Sequence, residues 1–122
     1  MIEKNFINLT NHPSEKWSEE QKNMAKKYGK IIDFPFPNVP ASATEEYIQN
    51  LCNTTVDAVM KLSPCVVLCQ GEFTLAFQII NRLLELGIVV VAACSERVVV
   101  EEGNRKESYF NFTKFRRFEK GD

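Results

Sequence analysis

Two unbroken apolar runs, CVVLC at 65–69 and IVVVAAC at 88–94, limit what this chain can fold into more than any other feature. Each has the length of a strand and neither alternates with polar residues. Strands of that kind are covered on both faces, as in a parallel sheet flanked by helices. Both fall far short of the roughly 20 apolar residues that a membrane helix needs. The opening MIEKNFINLTNH lacks the basic-then-apolar order of a secretion signal. The chain is therefore expected in the cytoplasm, with no membrane partner.

The segments around these runs carry helix signals. NFINLT (5–10) is strand-like and is broken by Asn11, His12, Pro13 and Ser14. Ser18 with Gln21 forms a capping box that opens a polar helix, and Gly29 stops it. A short strand follows around Ile31 to Phe34 and ends at Pro35, Pro37 and Pro40. Ser42 with Glu45 forms a second capping box for a helix over about 43–62, with Tyr47, Leu51, Val56, Val59 and Leu62 inward. After CVVLC, the segment TLAFQIINRLLELG reads as a helix with Leu75, Ile79, Leu83 and Leu86 inward and Gly87 as its stop.

Strands and helices alternate from residue 5 to 94, which calls for right-handed crossovers between parallel strands. The expectation is one α/β domain over 1–122, Rossmann-like, with a mainly parallel sheet, helices on both faces and a core at 5–97. Residues 98–118 read as a C-terminal β-hairpin turning near Gly103 and Asn104, with Phe110, Phe112 and Lys114 sharing one face of the second arm.

Fifteen basic and 16 acidic residues give a net charge of −1, too little for the global field that draws a protein onto long nucleic acid. Any anion must be held locally. Of the four cysteines, Cys65, Cys69 and Cys94 sit in the strand-like runs, and no pair has the C-x-x-C spacing of a zinc site. All four, Cys52 included, read as free thiols.

Ligands of open α/β sheets bind outside the carboxyl ends of the strands, and three polar segments lie there: TNHPS (10–14), QGEFT (70–74) and SER (95–97). In the second, Gly71 permits close backbone approach beside Gln70, and the amides of Phe73, Thr74 and Leu75 can point at a phosphate. A glycine before a helix, followed by an acidic first turn, is equally a plain helix start. Glu72 would repel a phosphate, so it reads as a hydrogen-bond acceptor for a ribose hydroxyl or base amine, or as a base. His12, the only histidine, is flanked by Asn11 and Ser14 and can move a proton. Arg97 is a guanidinium clamp for phosphate or a salt-bridge partner of Glu96 or Glu101, and Ser95 offers a hydroxyl. Trp17 stacks on a base or packs as core. The chain has no Walker loop, G-x-G-x-x-G, H-E-x-x-H or G-x-S-x-G. Its chemistry is expected to need no metal and no cofactor.

Taken together, FINLTNHPS, IIDFPFPNV, QGEFTLAFQIINRLLELGI and ACSER resemble small CRISPR-associated proteins related to the CARF domains and stand-alone ring nucleases of type III systems, over residues 5–97. The resemblance implies a homodimer that binds cyclic oligoadenylate, with tetra-adenylate favoured, across its two-fold axis. By position it implies contacts from His12 and Ser14, from Gln70, Gly71, Glu72 and Thr74, and from Ser95, Glu96 and Arg97. Cleavage of such a ring needs no external nucleophile, because a ribose 2′-hydroxyl held in line attacks the adjacent phosphate. Arg97 and the amides after Gly71 would then hold phosphate, with His12 or Glu72 moving the proton. Other readings are a sponge that binds the ring without cutting it, an interaction module using the YFNFTKF edge strand, and a regulator that binds another nucleotide.

Overall fold

A computed structural model describes residues 4–121. Nine elements follow in order: β1 (Asn5–Leu9), a 3₁₀ turn (Ser14–Lys16), α1 (Glu19–Tyr28), β2 (Lys30–Asp33), α2 (Glu45–Met60), β3 (Cys65–Cys69), α3 (Phe73–Glu85), β4 (Val89–Glu102) and β5 (Arg105–Arg117). The five strands form one sheet in the order β2-β1-β3-β4-β5. β1 pairs in parallel with β2 and β3, and β3 with β4, while β4 and β5 are antiparallel. The sheet is therefore mixed. No helix among the described residues is long and apolar enough to cross a membrane.

Strand alternation divides the core into two layers. Ile7, Leu9, Val67, Cys69 and Val90 face α2 and α3. Phe6, Val66, Leu68 and Val91 face the other way, toward Ala25 of α1, Trp17, Phe112 and Phe115. All five residues of β3 are buried, as its unbroken apolar run requires.

Several local devices follow the chain's own chemistry. Ser18 caps α1 by accepting from the Gln21 amide at 3.2 Å. α3 ends on Gly87 at φ 79°, with Ile88 N–H donating to the Leu83 carbonyl and Gly87 N–H to that of Leu84, the paired bonds of a Schellman stop. The β4–β5 turn is Gly103-Asn104, with Gly103 at φ 59°, as a two-residue hairpin loop with glycine first requires.

Several expectations are corrected. α2 is capped by Thr44, whose hydroxyl accepts from the Tyr47 amide at 3.1 Å, and not by Ser42. The buried stripe of α2 is Ile48, Cys52, Val56 and Val59, leaving Tyr47 exposed, and Leu86 beyond α3 is exposed as well. Finally, β4 does not stop at Cys94. With no Gly or Pro to break it, it runs on to Glu102, and Ser95, Glu96 and Arg97 pair with Phe112, Asn111 and Phe110.

Phe110, Phe112 and Lys114 do not share a face either. Cys94 pairs with Lys114 and Ser95 with Phe112, so Thr113 is an extra residue, a bulge that reverses the alternation. As a result Phe112 and Phe115, three apart in sequence, both turn into the α1 layer.

Candidate functional site

In this sheet the chain first moves outward from β1 to β2, then returns across β1 to β3 and continues to β4. Its direction reverses between β1 and β3, and such a reversal opens a crevice beyond the strand ends. A cleft of about 680 Å³ lies there, on the α1 side of the sheet. Leu68, Trp17, Ala93 and Phe112 give it an apolar lining, while Asn11, His12, Lys16, Gln21, Gln70 and Ser95 bring polar groups to it. Among the described residues no carboxylate lines this cleft, although the whole chain is slightly acidic.

The loop that carries His12 is set by a buried hydrogen-bond hub. Asn8, 1% exposed at the end of β1, donates to the His12 carbonyl at 2.9 Å and to Asp33 Oδ1 at 2.9 Å, and accepts from the Thr10 hydroxyl at 2.7 Å. The Thr10 hydroxyl in turn accepts from the His12 amide at 3.1 Å. Trp17 Nε1 donates to the same His12 carbonyl at 3.1 Å. His12 thus has its backbone fixed by three neighbours while its side chain is left to the cleft.

The residues expected at the site separate into two groups. Asn11, His12, Gln70, Gly71 and Ser95 line the cleft. Ser14 does not, because its amide and hydroxyl bind the Asp33 carboxylate at 3.2 and 3.0 Å. Glu72, Phe73 and Thr74 lie outside it, as do Glu96 and Arg97. Arg97 stands one pleat beyond Ser95, opposite Phe110, and Glu96 falls on the opposite face of β4.

The QGEFT segment makes local contacts that give Glu72 and Gly71 places in the fold. Glu72 is the N-cap of α3, and its carboxylate accepts from Leu75 N at 2.9 Å, Thr74 N at 3.0 Å and the Thr74 hydroxyl. The Thr74 and Leu75 amides, two of the three offered to a phosphate, are therefore already occupied. The Leu75 amide, then the Thr74 amide and hydroxyl, hold the Glu72 carboxyl below its ordinary range, the wrong direction for a proton acceptor. Gly71 is close-packed against the Phe36 ring, and this contact gives a packing reason for the glycine.

Trp17 is 5% exposed and packs edge-on to Phe6 as core, and it also lines the cleft. Sequence reasoning missed Lys16, Gln21, Phe110 and Phe112. Lys16, four residues after His12, carried a local signal in its spacing. Phe110 and Phe112 carried none, since only the antiparallel return of β5 brings them over the strand ends.

Three of the four thiols are chemically quiet. Cys52, Cys65 and Cys69 are buried, free and shifted upward by burial, Cys69 to about 12. Among the described residues no group of three or more His, Cys, Asp or Glu side chains is arranged to hold a metal ion.

A family model, that of the uncharacterized protein MJ1673 family, matches residues 4–116. No curated protein and no solved structure matches the chain.

Proposed function

The chain belongs to the MJ1673 family, and from the geometry of its cleft we propose that it is a homodimeric, CARF-related Rossmann-like protein that binds cyclic oligoadenylate and cleaves it. The observation that carries this reading is the lining of the cleft. Aromatic surface from Trp17, Phe110 and Phe112, one ammonium from Lys16, the only histidine, and, among the described residues, no carboxylate together suit a ligand that is both aromatic and anionic. A nucleotide phosphodiester has both properties. A volume of about 680 Å³ falls in the range of small-ligand pockets, roughly 300–1,000 Å³.

The strand order 2-1-3-4 with the ligand crevice between β1 and β3 supports the doubly wound reading of the fold. The assignment to cyclic oligoadenylate rests on the resemblance of FINLTNHPS, QGEFT and ACSER to the type III CRISPR ring-binding families. Lys16, not Arg97 or the α3 amides, is the group offered to phosphate.

In the reaction proposed, a ribose 2′-hydroxyl attacks the adjacent phosphorus and the P–O5′ bond breaks, giving a 2′,3′-cyclic phosphate and a 5′-hydroxyl. His12 takes the proton from the attacking hydroxyl, and solvent water supplies the proton to the leaving O5′. Lys16 stabilises the charge gathered on the phosphoryl oxygens. The ring supplies its own nucleophile, so the protein's task is to hold it in line.

Trp17 provides the first test. It is the sole tryptophan and lines the cleft, so titration with cyclic tetra-adenylate is expected to change its fluorescence saturably, with adenosine as a weak competitor. Unchanged fluorescence together with no retention of labelled ring on the protein would remove this reading.

A further inference from the structure

α3 carries two apolar rows, and its own fold buries only one of them. Leu75, Ala76, Ile79 and Leu83 are packed into the layer between α2, α3 and the sheet. Phe73, Phe77 and Ile80 make the second row, at the i, i+4, i+7 spacing through which helices pack on one another. Phe73 and Phe77 are 89% and 67% exposed. The row borders a trough of about 790 Å³ that Ala92 of β4 and Phe118 also line, and no charged side chain lines it among the described residues. The buried core on this side takes Val90 from β4 and nothing from β5. A sheet of this kind buries its faces under helices, and here the layer is one helix short beyond α3.

Charge narrows what can fill the gap. Across the β4–β5 ladder Arg116 pairs with Ala92 and Lys114 with Cys94, so both cations stand on the trough's face of the sheet. Both are exposed, and neither is ion-paired among the described residues. Glu96 shares that face but pairs with Asn111, farther out toward the hairpin turn.

We infer that the trough is a docking site for an amphipathic helix of a partner protein, its apolar side against Phe73, Phe77 and Ile80 and an acidic flank facing Arg116 and Lys114. A helix that docks in a groove presents anchors at i, i+3 or i+4, and i+7, the same spacing that α3 offers from its side. Exposed aromatic rings at the centre supply affinity, and the charged rim selects the partner. A basic helix could make the same apolar contacts and would meet repulsion at the rim. The seat lies on the face of the sheet opposite α1 and needs no nucleotide in the cleft.

The test uses the full chain and two labelled synthetic helices of about 18 residues, long enough to hold helical structure in water. Both carry leucine anchors, one with a glutamate flank and one with lysine in its place, and binding is followed by fluorescence anisotropy. The glutamate helix is expected to bind saturably, about 3–10-fold tighter than the lysine helix, with the difference shrinking as salt is added. Lys114→Glu/Arg116→Glu should reverse that preference. Phe73→Ser/Phe77→Ser, with unchanged circular dichroism and the wild-type sedimentation mass, should weaken both helices by about 30-fold or more, whereas Tyr47→Ser, at an exposed aromatic on α2, binds like wild type. No binding at the highest soluble concentration, equal affinity for the two helices, or an unreversed preference in the glutamate variant overturns the inference. So does a serine variant that sediments as a monomer where wild type is a dimer, since the face then belongs to a second copy.

Discussion

The ring of Phe36 occupies the space that a side chain at position 71 would need. Phe36 is 4% exposed and packed in the α2/α3 layer, so its ring has nowhere to retreat. Gly71→Ala should therefore destabilise the fold by about 1–3 kcal/mol, as overpacking does. Urea unfolding of the single and double variants checks this: Phe36→Leu should relieve part of the cost, so that the two substitutions are not additive.

That contact also marks where the sequence stops being readable. CVVLC, the Ser18 cap, the Gly87 stop and the Gly103-Asn104 turn are local features, and each was legible because neighbouring residues determine it. His12 and Gln70 were legible as strand-end residues for the same reason. Arg97 was misjudged because SER carries turn-compatible polarity, and only the distant partners Asn111 and Phe110 hold it in a strand. The cap formed by Glu72 was not legible because a side chain that caps its own helix and one that reaches a ligand have the same sequence. Phe36 meeting Gly71, 35 positions on, has no local signature at all.

Asn8 holds the His12 loop from below. Asn8→Ala leaves the Thr10 hydroxyl and the His12 carbonyl short of a buried partner, and should cost about 1–3 kcal/mol. The same variant should shift Trp17 emission in the folded state, since the indole donates to that carbonyl. Denaturation followed by fluorescence and by circular dichroism separates the two effects.

Glu72 gives a pH signature. Its carboxyl is depressed in the folded chain by the Leu75 and Thr74 amides and the Thr74 hydroxyl, against an ordinary value of 4.5. The stabilisation is then complete above that value and is lost as pH falls through the lower folded value. Glu72→Ala should melt below wild type near neutral pH, with the gap closing in acid below pH 4.5. Melting curves across that range check it, and the variant should still bind cyclic tetra-adenylate.

Thiol labelling reads the core directly. Cys52, Cys65 and Cys69 are buried, and Cys69 is raised to about 12 by burial first and by Cys52 second, so little thiolate is available at mildly alkaline pH. Cys94 is only partly buried. Iodoacetamide on the native chain should modify Cys94 first, with the other three reacting only on unfolding, as peptide mass mapping will resolve.

The most direct test is conversion of labelled cyclic tetra-adenylate by four single variants in EDTA. His12→Ala should lower the rate by about 10²–10⁴-fold while ring binding persists, the loss expected for a proton-transfer group. Lys16→Ala should weaken binding and rate together, whereas Glu72→Ala and Arg97→Ala, outside the cleft, should convert the ring like wild type. Full activity in His12→Ala and Lys16→Ala, or its loss in Arg97→Ala and Glu72→Ala alone, would contradict a site built in the cleft between β1 and β3.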